Sequence, residues 1–74
     1  MNKITTAMTT LRASLIDGGS TEGQVDTKIL ALNAEIGSYF RGFMVGSTQP
    51  LIDAINNSSE LTAGEKVQFI TDLG

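Results

Sequence analysis

The sequence predicts an all-α fold of three or four helices in a small bundle or helical hairpin, with a long central helix at about 22–45. Two apolar stripes predict it, because steps of three and four residues place side chains on one face of an α-helix. The first stripe is Met1, Ile4, Met8, Leu11 and Leu15. The second is Val25, Ile29, Leu32, Ile36, Tyr39 and Phe43. Each stripe must be buried against another surface, so the chain is expected to work through packing.

The first helix is expected over 2–16. Its threonines lower helix propensity, and Asp17-Gly18 is typical of hairpin turns, so a strand is the alternative. The segment 20–24 has no apolar alternation with which a strand could pair, and helix is therefore favoured. Gly18 and Gly19 are expected to end the helix, since glycine readily adopts the left-handed conformation of a helix C-terminus.

The central helix has a clear beginning and two weak points. Thr21 and Gln24 match a capping box, in which two backbone donors are satisfied reciprocally. Gly37 and Gly42 each lower helix stability by about 0.5–1 kcal/mol relative to alanine. The sequence leaves open whether the helix breaks at Gly37 or Gly42. It also leaves open whether Ala34 and these two glycines form a face that another backbone approaches.

Two shorter helices are expected in the last third of the chain. Ser47 or Thr48 caps the first of them and Pro50 lies in its first turn, where proline is tolerated. Thr62 and Glu65 match a second capping box, which opens the last helix. The apolar set of that helix is Val67, Phe69, Ile70 and Leu73.

The composition predicts a single small helical domain over 1–74. A chain of this length buries only about 60% of the surface that its unfolded state exposes. It contains no Cys and no His, so neither disulfides nor the commonest metal ligands supplement the core. Oligomerisation or docking onto a protein partner is the supplement that remains, and no cofactor is expected.

The charges argue against a nucleic-acid partner. The net charge is −3, and the five basic residues are scattered singly, whereas DNA or RNA binding draws on clustered Lys and Arg. No 18-residue apolar run predicts a transmembrane segment, and polar residues interrupt any N-terminal signal peptide. The sequence leaves the localisation unknown; a cytoplasmic location or a place in a larger assembled particle is the expectation.

Catalysis is not expected. Without Cys or His, only Ser or Thr with Lys or a carboxylate could supply a nucleophile and base, and no motif marks such a pair. Glu22 and Asp26 lie one turn apart, but negative charge at the start of a helix is better explained by the helix dipole. The loop that begins at Asp17 fails as a calcium loop, because its twelfth residue is Lys28 instead of Glu.

The segment 39–45 is the predicted protein interface. It holds three of the four aromatic residues and one cation, Arg41. Their spread around the helix exceeds what one small core can cover, and aromatics, Met and Arg are enriched at protein interfaces. The predicted interface residues are Ile36, Tyr39, Phe40, Arg41, Phe43 and Met44. A membrane-surface helix is disfavoured, because the polar face lacks an excess of Lys and Arg.

The leading hypothesis is a non-catalytic structural or assembly subunit that packs its helices against copies of itself or a larger protein complex. The alternative is a small acidic adaptor or inhibitor that binds and modulates another protein. The outline of a long helix, a Ser/Thr-Pro turn and a shorter helix resembles small filament, pilus and virion subunits, by architecture alone. Phe43→Asp is expected to abolish assembly, whereas Lys28→Gln, at a position expected to be solvated, should do little.

Overall fold

The described part of the chain, residues 2–74 of a computed structural model, forms four helical segments and no strand. The predicted all-α class is therefore confirmed; Met1, the first member of the first stripe, lies outside the described residues. The helices are α1 (Lys3–Asp17), α2 (Glu22–Ile36), α3 (Phe40–Met44), α4 (Thr48–Asn56) and α5 (Ala63–Leu73). A 3-10 turn at Gly37–Tyr39 joins α2 to α3 within one helical segment.

Helix α1 is closed at both ends by local hydrogen bonds. The Asn2 side chain accepts a hydrogen bond from the backbone N–H of Thr5 at 2.8 Å. At the other end the N–H groups of Gly19 and Ser20 donate to the carbonyls of Ile16 and Leu15, the pairing of a Schellman motif. Gly19 alone adopts the left-handed conformation, with φ +99°, while the preceding glycine stays right-handed.

The central helical segment begins as predicted but is interrupted. The capping box of Thr21 and Gln24 is present, and helical structure continues to residue 44. The interruption lies at Gly37, where three residues tighten into a 3-10 turn. Gly46, with φ +105°, then ends α3 through a second Schellman pairing, in which the Ser47 N–H donates to the Gly42 carbonyl at 2.7 Å.

The last two helices begin where the sequence places them. Ser47 is the residue before α4, but its side chain makes no capping hydrogen bond. Pro50 occupies the third position of α4, inside the first turn whose N–H groups have no helical acceptor. The capping box of Thr62 and Glu65 opens α5. The predicted apolar set of α5 divides: Phe69 and Leu73 are buried, Ile70 is half-buried, and Val67 is exposed.

One core cluster collects side chains from all the helices except α3, which lies against its edge. The buried members are Ile4, Ala7, Leu11, Leu32, Ile36, Leu51, Ile55, Leu61, Phe69 and Leu73. Both predicted stripes supply this cluster, so the stripes are satisfied largely within the chain. Helix α5 packs most extensively on α1, and α4 packs on α3.

Polar contacts fix the helices relative to one another. Lys28 Nζ lies 3.0 Å from Glu65 Oε1, which ties α2 to α5. Because both side chains are largely shielded from solvent, the expectation that Lys28 is solvated is wrong. On the other side of α2, Arg12 pairs with Asp26 at 2.6 Å and ties α1 to α2 in antiparallel orientation.

Candidate interaction surface

The structure separates the six predicted interface residues into three groups. Ile36 is completely buried in the core and is therefore unavailable to a partner in this fold. Phe40 and Phe43 are half-buried and pack against the core cluster. Tyr39, Arg41 and Met44 are exposed.

The 3-10 turn explains why the stripe does not continue through this region. An α-helix has 3.6 residues per turn and a 3-10 helix has three, so the phase of the stripe shifts after Ile36, although the stripe residue Phe43 still packs against the core. Phe40 consequently packs against the core, and Tyr39, the stripe residue, is exposed. A sequence pattern extrapolated through Gly37 cannot anticipate this change.

The exposed side chains of the 3-10 turn and α3 form a surface with one cation and several apolar groups, which we call the α3 patch. Its members are Tyr39, Arg41, Met44 and Val45. The side chains of Met44 and Val45 are 55% and 79% exposed, so neither is used by the core. Val45 was absent from the predicted interface set, although its position directly after Met44 at the helix end was a signal for it.

Leu30 is a further exposed apolar residue outside the α3 patch. It lies on the outer face of α2 and was not predicted as part of a surface. It is 71% exposed. By helical spacing its neighbours on that face are Asp26, Thr27, Asn33 and Ala34. The Thr27 hydroxyl donates to the carbonyl of Gly23 in its own helix at 2.9 Å. Its position between the stripe residues Ile29 and Leu32 was the signal in the sequence that Leu30 faces away from the core.

The two glycines singled out in the sequence have different surroundings. A side chain at Gly37 would meet open space. A Cβ at Gly42 would lie 3.7 Å from the Ser47 Cβ, an ordinary contact with the following turn of the same chain. The outward surface open to another backbone therefore includes Gly37 but is not continuous through Gly42.

Glu35, just before the turn, anchors the loop between α4 and α5. Its carboxylate accepts hydrogen bonds from the Ser58 hydroxyl and, at 2.9 Å each, from the Ser59 hydroxyl and backbone N–H. These donors, the Ser58 hydroxyl foremost, hold the pKa of Glu35 below its ordinary value. These bonds tie the end of α2, just before the 3-10 turn that leads into α3, to the loop between α4 and α5.

A groove of about 420 Å³ lies between α1 and α5. Its polar lining includes Thr10, Ser14 and two carboxylates, Glu65 and Asp72. Burial raises the pKa of Glu65, but hydrogen bonds from Thr62 and Lys28 outweigh it and leave that pKa lowered. Asp72 Oδ1 accepts from Gln68 at 3.0 Å, and its buried Oδ2 has no partner among residues 2–74. The groove thus presents acceptors and hydroxyls, without a Cys or His to act as nucleophile or base.

No helix in the region 2–74 combines the length and apolar character needed to cross a bilayer. Across the same residues, the acidic side chains nowhere gather in threes at a spacing suited to a metal ion. No protein family, curated protein or solved structure matches the chain.

Proposed function

We propose that this chain is a non-catalytic structural or assembly subunit that packs against copies of itself or a larger protein complex. The observation that carries the proposal is the α3 patch, where Tyr39, Met44 and Val45 remain exposed although the core is complete without them. Burying an exposed valine or methionine contributes about 1.5–3 kcal/mol. Aromatic, Met and Arg side chains are also the types enriched at interfaces.

The small size of the chain supports the same proposal. A chain of 74 residues has a limited core, and association adds buried apolar area that folding alone does not provide. The alternative is a small acidic adaptor or inhibitor, which the net charge of −3 favours. The two functions differ in their first observable property, because a subunit associates with itself whereas an adaptor stays monomeric until its target is added.

The test compares two chemically matched substitutions at valines of similar exposure. Val45 lies in the α3 patch and Val67 lies on α5, 79% and 68% exposed respectively. Val45→Gln is expected to weaken association about tenfold, since the loss of about 1.4 kcal/mol is tenfold in a dissociation constant. Val67→Gln should leave association unchanged.

Light scattering after size exclusion, across a concentration series, measures the effect, and circular dichroism verifies that each variant is folded. A wild-type chain that stays at 7.8 kDa at every concentration would contradict self-assembly and favour the adaptor. Phe43→Asp is less informative than the valine pair, because Phe43 packs against the core and its loss would also unfold the chain.

A further inference from the structure

Arg41 is the one basic side chain that makes neither an ion pair nor a hydrogen bond within residues 2–74. Arg12 and Lys28 form ion pairs with Asp26 and Glu65. Lys3 and Lys66 donate to the backbone carbonyls of Gly74 and Asn56, at 3.1 and 3.0 Å. Arg41 makes neither kind of contact and lies among the exposed apolar side chains of the α3 patch. A guanidinium in such surroundings is suited to a carboxylate flanked by apolar groups.

Carboxylates beside an apolar side chain lie at the opposite end of α2 from Arg41, on a surface that we call the α1 end. It consists of Ile16, Asp17 and Glu22. Ile16 is 41% exposed, and neither acidic side chain makes an ion pair or a hydrogen bond within the described residues. No basic residue lies in the last turn of α1, so Asp17 adds negative charge where the helix dipole is already negative. A cation from outside would relieve this repulsion.

The two surfaces cannot meet within one chain. Asp17 and Glu22 lie at the amino end of α2, and Arg41 follows its carboxyl end. At 1.5 Å per residue, the 15-residue helix places about 21 Å between them. Contact between the surfaces therefore requires two molecules, each using a different face, which is a heterologous interface.

From this charge complementarity we infer that the α3 patch of one copy binds the α1 end of the next, with Arg41 against Asp17 and Met44 and Val45 against Ile16. The inference deepens the proposed function by naming the partner as a second copy. Because the two surfaces lie at opposite ends of α2, a bound pair of copies leaves one α3 patch and one α1 end free. The interaction then builds either an open filament or, if the rotation closes, a ring.

The test is a charge swap measured by light scattering and sedimentation velocity in a concentration series at low ionic strength. Arg41→Asp and Asp17→Arg are each expected to weaken association at least about tenfold, because each places like charges together. The double variant, which restores opposite charges and keeps the net charge, should return association to within about threefold of wild type. Asp53→Arg, an exposed site on α4, changes the net charge as Asp17→Arg does and should have no such effect.

The outcomes separate this inference from the proposed function. If wild type associates but neither single reversal weakens it, or the double variant fails to restore it, the head-to-tail contact is wrong and assembly uses another surface. If Asp53→Arg weakens association as strongly as Asp17→Arg, the effect is nonspecific and the contact is likewise wrong. If wild type is monomeric throughout, self-assembly and this contact both fail.

Discussion

Individual residues decide where the helices of this chain end, and the glycines show this most directly. Gly19 and Gly46 hold positive φ angles that end α1 and α3, a conformation costing other residues about 1–2 kcal/mol. Gly37 has an ordinary helical φ of −60° and open space around it. Neither its backbone conformation nor its surroundings therefore require glycine at this position.

Substitution of these glycines by alanine should therefore have opposite signs. Gly37→Ala is expected to raise the free energy of unfolding by about 0.5–1 kcal/mol, because alanine fits the existing conformation and restricts the unfolded chain. Gly46→Ala should lower it by about 1 kcal/mol or more. Urea denaturation followed by circular dichroism measures both. A destabilising Gly37→Ala would mean that the 3-10 turn depends on glycine itself.

The hydrogen bonds to Glu35 should make stability depend on pH. Because they lower its pKa below the ordinary 4.5, their contribution is complete above that pH and is lost as pH falls through the folded-state pKa. The difference in unfolding free energy between wild type and Glu35→Gln should thus be largest near neutral pH and shrink below 4.5. Urea titrations at several pH values measure it. Glu60→Gln is the control, since that side chain makes no hydrogen bond within residues 2–74; an equal pH trend there would refute the assignment.

At the scale of elements, polar contacts between helices complement the apolar core. Lys28 and Glu65 tie α2 to the first turn of α5, with side chains only 27% and 15% exposed. Arg12 and Asp26 make the equivalent tie to α1, but at 44% and 58% exposure. Solvent screens the second pair far more, so the shielded pair should contribute more to stability.

Lys28→Gln and Arg12→Gln form a matched test of this difference. Lys28→Gln is expected to lower the free energy of unfolding by about 1 kcal/mol, since Glu65 loses a charged donor in a shielded site. Arg12→Gln should lower the free energy of unfolding by less than about 0.5 kcal/mol. Thermal and urea denaturation at moderate salt give both values. Equal effects would show that burial does not distinguish the pairs.

In the whole molecule, a single cluster contains every buried apolar side chain of residues 2–74 except Val25. A chain of this length has a total stability of about 4–11 kcal/mol. Phe69 is a large fully buried side chain at the centre of that cluster. The chain accordingly has little reserve against the loss of any one core residue.

Phe69→Ala is expected to cost about 3–5 kcal/mol and leave much of the chain unfolded at 37 °C. Val67→Ala, two residues earlier on the same helix and exposed, should change stability by less than about 0.5 kcal/mol. Far-ultraviolet circular dichroism during heating distinguishes them. A Phe69→Ala variant that melts as wild type does would mean that the cluster is not the main source of stability.

The helical class, the two capping boxes and most of the core follow from the sequence. These are local properties: apolar periodicity, capping boxes and glycine conformations act over one or two turns. Only Tyr39, Arg41 and Met44 of the predicted interface residues are exposed. The stripe does not predict which side chains are exposed after the 3-10 turn at Gly37. Ile36, the last stripe residue before the turn, is taken up by the core, whereas Val45, directly after α3, is exposed.

Tertiary structure alone decided which surfaces are left after folding. Contacts between distant parts of the chain decide that Lys28 meets Glu65 and that Glu35 anchors the loop at Ser58. They also decide that Arg41 has no partner among residues 2–74. A side chain's availability is set by what packs against it in space, and helical periodicity gives the face of a residue without naming its neighbour. The functional proposal therefore begins at the α3 patch, a surface that only the folded chain defines.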